Sequence, residues 1–186
     1  MSESKDDSDA ALRRAKPLAP PSVLFAVDGC VMGHCQDVVV IVWGIDVTPT
    51  LIEEYGKLLT HMASTHRLFS IVHIAPTLRG LPGGEIRAAF AAIAEEHVNA
   101  LLLTAVLIVG SGFWSSAVRS VITSVQVLLR RKLNIRVCGS IDEVVTWLVP
   151  EHSGQTGRPL DGMQLRAAIV EMLDHPLVRR FAAALR

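Results

Sequence analysis

The chain has 186 residues, half of them hydrophobic and 19% charged, and its 18 basic and 18 acidic side chains cancel. That length suits one ordinary domain of roughly 120–150 residues plus tails. The composition excludes a chain disordered throughout, and zero net charge excludes a broad basic field for nucleic acid or anionic lipid.

Residues 1–21 are polar and acidic, then Pro-rich, and read as a disordered tail. The tail has no apolar leader core, and three cysteines, an odd number, suggest no disulfide framework. The expectation is a cytoplasmic protein with reduced thiols. "SVLFAVDG" (22–29) is a short apolar segment that ends at a Gly turn and can serve as an antiparallel or edge strand. Cys30-Val-Met-Gly-His34-Cys35 reads as a turn carrying structural thiols. Its three soft ligands fall short of the four a structural zinc site needs, so no metal is expected.

"DVVVIVWGI" (37–45) is a core strand. Thr48 caps the next helix with Pro49 in its first turn, and Leu51, Ile52, Tyr55, Leu58, Leu59 and Met62 follow at helical spacing. "LFSIVHIA" (68–75) is a second core strand, with His73 inside it as the histidine most suggestive of a site, and "PTLRGLPGG" (76–84) is a loop. A helix with the stripe Ile86, Ala89, Phe90, Ile93, Ala94, His97 and Val98 leads to a third strand, "LLLTAVLIVG" (101–110). The 21 uncharged residues between His97 and Arg119 match a membrane span in length, but Gly110-Ser-Gly112 and Ser115-Ser116 break the apolar run. A strand buried on both faces fits better, and no membrane contact is expected.

Gly110-Ser-Gly112-Phe-Trp-Ser-Ser116 has the strand–turn–helix setting of a dinucleotide fingerprint, yet Ser115 stands where the third Gly belongs, and no P-loop occurs. The expectation is a strand-to-helix turn and no cofactor. A helix with Val118, Val121, Ile122, Val125, Leu128 and Leu129 on one face ends at Arg130-Arg131-Lys132, where cations suit the helix dipole. "NIRVCGS" (134–140) is the last strand, and Ser140-Ile-Asp-Glu143 has capping-box form before a short helix. The domain is expected to end near Pro150. Residues 151–159 read as a linker, and 160–186 as an amphipathic helix with Leu165, Ala168, Ile169, Met172 and Leu173 aligned, then a break at Pro176 and a second short helix.

Strands alternating with helices predict an α/β fold, with a mostly parallel sheet covered on both faces. The element order over about 22–149 resembles the STAS domain of anti-sigma-factor antagonists, and more closely its SpoIIAA-like branch. "VVVIVWGIDVTPTLIEEY", "TAVLIVGSGFWSSAVRSVI" and "NIRVCGSIDEVVTWL" carry the resemblance. It implies a STAS-like domain over 22–150, with 151–186 as a linker and helical extension. It further implies a non-catalytic bacterial regulatory or adapter protein without cofactor, whose partner is another protein or a copy of itself. In that family a phosphorylatable Ser, usually preceded by Asp, opens the helix after the third strand. The corresponding loop here offers Thr77 as its hydroxyl, beside Arg79. Phosphorylation of Thr77 would add about −1.5 to −2 charges there.

The contact surfaces expected from these readings are the 76–84 loop with Thr77 and Arg79, the 110–116 turn with Phe113 and Trp114, and the C-terminal helix with Leu165, Ile169 and Met172. That last helix docks either on its own domain or on a partner. No residue is assigned to catalysis, since no nucleophile elbow, metalloprotease helix or carboxylate pair occurs. Two other functions fit the same residues: a binding module for a small apolar ligand or lipid, and a self-assembling structural subunit.

Overall fold

The structure, a computed structural model, describes residues 20–76, 83–108 and 134–182. Thr77, Arg79, Phe113 and Trp114, most of the 76–84 loop, the 110–116 turn and the helix expected after it lie outside the described residues.

Two short hairpins open the fold. β1 (Ser22–Val27) pairs antiparallel with β2 (Cys30–Cys35), and β2 with β3 (Val38–Trp43). Each connection is two residues long, Asp28-Gly29 and Gln36-Asp37, the length that matches strand twist in tight hairpins. Gly29 sits at φ +84°, and a Cβ there would lie 2.3 Å from the Ile45 side chain, so only glycine fits. The 30–35 segment is therefore a strand and not the expected turn. Its alternation places Cys30 and Met32 on one face and Val31 and Cys35 on the other, so the two thiols cannot meet at one metal ion.

From β3 onward the strands run parallel: β4 (Phe69–Ala75), β5 (Leu101–Ile108) and β6 (Asn134–Cys138). The described sheet has six strands in the order β1-β2-β3-β4-β5-β6. Every residue of β3 is buried, as its unbroken apolar run requires of a central strand. The order never reverses, so right-handed crossovers place the connecting helices α1 (Pro49–Thr65) and α2 (Gly84–Glu96) on a common face. There Leu51, Tyr55, Leu59 and Met62 of α1 pack on Met32, Ile41, Trp43 and Ile71.

α3 (Ile141–Thr156) and α4 (Gly162–Asp174) follow the last strand and cover the opposite face. Ser140 caps α3 by accepting from the Glu143 amide at 3.2 Å, while the Glu143 carboxylate accepts from Gly139 N–H at 2.8 Å, close to the expected capping box. The expected stop at Pro150 does not occur. Pro150 and Thr146 both face solvent, so water can solvate the carbonyl that proline leaves unpaired, and the helix runs on to a left-handed cap at Gly157. Most of the expected 151–159 linker is thus helix.

Asp161 caps α4, accepting from the amides of Met163 and Gln164. Past α4, Pro176 begins a run of turns with backbone bonds from Val178 to His175, Phe181 to Val178 and Ala182 to Arg179, and residues 183–186 of the expected second helix lie outside the described residues. This segment straps onto the first hairpin. Gly29 N–H donates to the Leu177 carbonyl at 2.8 Å, Arg180 pairs with Asp28, and Phe181 lies so close to Gly44 that a Cβ there would sit 2.7 Å from the ring. Val178 and Ala182 join the core, so residues 151–182 belong to the main fold.

Candidate functional site

The predicted C-terminal contact residues are core residues. Leu165, Ile169 and Met172 are at most 1% exposed, packed with Val31, Val40 and Leu107. This corrects their expected availability to a partner: α4 docks on its own sheet and uses that stripe to do so. Its outward apolar residues are Met163 and Val170, seven positions apart on one face and 74% and 40% exposed.

A more continuous apolar surface is β1, an outermost strand of the described sheet. Val23, Leu24 and Val27 are 42%, 49% and 37% exposed, and only Phe25 reaches toward the core. Its outer backbone groups have no strand beside them among the described residues. Sheet edges are commonly guarded by charge, proline or a bulge. "SVLFAV" has neither charge nor proline, and one register shift between Val23 and Phe25 is its only such device.

Two histidine clusters hold the remaining chemistry, at opposite ends of the sheet and on opposite faces. At the amino-terminal ends of the parallel strands, His152 of α3 is fully buried. Its Nδ1 lies 2.8 Å from Ser70 Oγ, and its Nε2 lies 3.0 Å from Asp37 Oδ1, a close ion-pair contact that falls short of an aligned hydrogen bond. Arg158 Nη2 meets the other Asp37 oxygen at 3.0 Å. Burial alone would raise the Asp37 pKa. The close approach of the His152 ring, the residue's own amide and the Arg158 charge outweigh it and hold the pKa below the usual carboxylate value.

Ser, His and Asp together have the composition of an acyl-transfer triad, but the geometry is that of a clamp. Ser70 is fully buried near the start of β4, and its amide is spent on the Asp37 carbonyl at 3.0 Å, so this hydroxyl has no opening to a substrate. Beside the clamp, Arg67, Leu68, Gln155, Thr156 and Arg158 line a cleft of about 300 Å³. Arg67 and Arg158 follow the C-terminal ends of α1 and α3, where a cation complements the negative end of each helix dipole. His66 nearby has its pKa lowered, mainly by desolvation, with Asp37 opposing and the charges of Arg158, His34 and His61 adding to the fall.

At the carboxyl ends of the strands the second cluster is aromatic. Trp43, Tyr55, His73 and Phe90 form a group with ring centroids 5.3–6.2 Å apart. Trp43 Nε1–H donates to His73 Nδ1 at 3.1 Å, with the two rings within 17° of parallel. Burial in this apolar setting pushes the His73 pKa down to about 4, and it raises that of Tyr55 well above the usual phenol. His73 is the histidine singled out from sequence, whereas Tyr55 and Phe90 stand there only in the apolar stripes of their helices.

The thiols are inert by the same physics. Burial pushes Cys30 up to about 12 and, helped by the charges of Asp161 and Asp37, Cys35 to about 11, and Cys138 is raised too. Among the described residues no group of three or more His, Cys, Asp or Glu can hold a metal ion, and no helix is long and apolar enough to cross a membrane.

β4 and β5 are parallel neighbours that end level, Ala75 opposite Ile108. A scan against protein-family models, a search of curated proteins and a search of solved structures each return no match for this chain.

Proposed function

We propose that this chain is a non-catalytic protein-interaction module, a regulatory adapter of the cytoplasm, that takes up a partner polypeptide along the open edge of β1. The observation carrying this reading is the uncharged strand Ser22–Val27, with Val23, Leu24 and Val27 exposed at a sheet edge. An extended segment added there gains main-chain hydrogen bonds from the free edge and apolar contacts from alternate side chains. The STAS-like resemblance of "VVVIVWGIDVTPTLIEEY" and "NIRVCGSIDEVVTWL" supports the same class of activity. The partner is another protein; a second copy is the other chain that could pair there.

Leu24→Lys tests this directly. Leu24 is half exposed, so the substitution leaves the core untouched, and the melting temperature is expected to move by no more than about 1–2 °C. Native mass spectrometry of both chains purified from their own host should show a second polypeptide with the natural chain and none with Leu24→Lys. A partner held equally by both chains would remove β1 as the site. A symmetric multiple of 20.1 kDa would replace the partner by a copy of the chain.

A further inference from the structure

The cleft beside the His152 clamp is lined by two guanidinium groups and no acid. Arg67 reaches it from the turn between α1 and β4, and Arg158 from just past the α3 cap at Gly157; Leu68, Gln155 and Thr156 complete the lining. Arg158 is held from two sides. The Thr156 hydroxyl donates to the His152 carbonyl at 2.8 Å and accepts from the Arg158 amide at 3.2 Å, while Asp37 meets the guanidinium at 3.0 Å. The Arg158 side chain is still 54% exposed, so donors beyond the Asp37 contact remain available. Arg67 is exposed and makes no ion pair or hydrogen bond among the described residues. The helix ends do not occupy these donors: the His61 and His152 carbonyls are taken by the hydroxyls of Ser64, Thr65 and Thr156. Asp37 balances Arg158, and the charge of Arg67 stands uncompensated.

We propose that this cleft binds a small organic phosphate monoester, its phosphate bridging Arg67 and Arg158 and its organic part lying against Leu68 and Gln155. A carboxylate has two oxygens, which a single guanidinium fork already fills. A phosphate monoester has three terminal oxygens and close to two charges, enough for two arginines at once. A cleft of about 300 Å³ lies at the small end of ligand sites, which sets the organic part at a single ring or a short chain. The site shares no residue with the β1 edge, so either can fail without the other.

Phenyl phosphate, inorganic phosphate, benzoate and a phosphoserine tripeptide test the site on the full chain. Each is titrated above pH 7, where the monoester is a dianion, at low salt, with ¹⁵N NMR of the arginine Nε–H groups as the readout. Phenyl phosphate should shift Arg67 and Arg158 saturably and bind at least about 10-fold tighter than benzoate or inorganic phosphate. Arg67→Gln should weaken it by about 10–100-fold with the melting temperature unchanged, since Arg67 has no partner to lose. Arg158→Lys keeps a cation beside Asp37 but loses the fork, and should weaken it by about 10-fold. Lys57→Gln removes an equal charge outside the cleft and should leave binding unchanged. Equal losses from Lys57→Gln and Arg67→Gln would reduce the site to a diffuse field. Benzoate as tight as phenyl phosphate would overturn the choice of phosphate, and inorganic phosphate as tight would remove the organic part. A tighter tripeptide would replace the small molecule by a phosphorylated protein, and no arginine shift with phenyl phosphate at millimolar concentration would overturn the proposal.

Discussion

His73 and His152 are placed by the same device, a sheet with a helix laid across it, and meet opposite conditions. His152 sits on the α3 face with each ring nitrogen against a polar group, Ser70 on one side and Asp37 on the other, and is fully buried. His73 sits on the α1 face among Trp43, Tyr55 and Phe90, has one partner, and keeps partial access to solvent. The first histidine is a clamp because nothing in its surroundings is left to give. The second makes a single hydrogen bond among the described residues, from the Trp43 indole.

The largest effect should come from breaking the clamp. His152→Ala leaves Asp37 Oδ1 and Ser70 Oγ facing a void, and removes the link between α3, β4 and the turn before β3. A loss of about 3–5 kcal/mol of unfolding free energy is expected, read from urea denaturation at pH 7. His73→Phe puts a larger apolar ring in the other site and leaves the Trp43 indole N–H without its acceptor, so it should cost about 1–3 kcal/mol. Similar losses from the two would show that the two sites do not differ in the way described.

Acid separates the sites by pH window. His73 has a folded pKa of about 4 against an ordinary value of 6.5, so the unfolded chain takes up this proton first, and stability falls as the pH drops from about 6.5 to about 4. The shift is worth up to about 3 kcal/mol, and solvent access to the ring brings the expectation to about 1–3 kcal/mol. Asp37 has its pKa lowered by folding, so its contribution is complete above the ordinary carboxylate value of 3.8 and is lost as pH falls below it. Chemical denaturation of the natural chain between pH 7 and 3 should therefore show an upper decline that His73→Phe reduces, with the lowered pKa of His66 supplying the remainder. If that decline is unchanged by the substitution, the desolvation of His73 is not its source.

Much of this was legible along the chain, though not across it. The apolar run of β3, the Thr48-Pro49 start of α1, and Ser140 with Glu143 are local signals, and each appears where its chemistry places it. β2 was read as a turn because Gly33 interrupts its apolar alternation and because Gln36, at φ 54°, turns the chain without a glycine to mark it. Asp28-Gly29 between two apolar stretches was the available hairpin signal. Pro150 misled because a helix-interior proline is tolerated only on a solvent face, a property of the packed molecule. The clamp was invisible for a similar reason: Ser70 and His152 are 82 residues apart, and only the sheet brings them together. His73 stood out, but its meaning depends on Trp43 lying on the adjacent strand with its N–H in reach.

The smallest test is also the sharpest, because it deletes one corresponding hydrogen bond from each site. Ser70→Ala removes the partner of His152 Nδ1, and Trp43→Phe removes the donor to His73 Nδ1 while keeping an aromatic ring against Tyr55 and Phe90. A buried polar atom left alone carries its full desolvation cost, so Ser70→Ala should lose about 1–3 kcal/mol. His73 can recover with water or move its proton to Nδ1, so Trp43→Phe should lose about 1 kcal/mol and produce a mixture of imidazole tautomers. The ¹⁵N shifts of the His73 ring report that mixture directly. A ring that stays wholly in the Nε2–H form without the indole would mean that Trp43 does not set the tautomer.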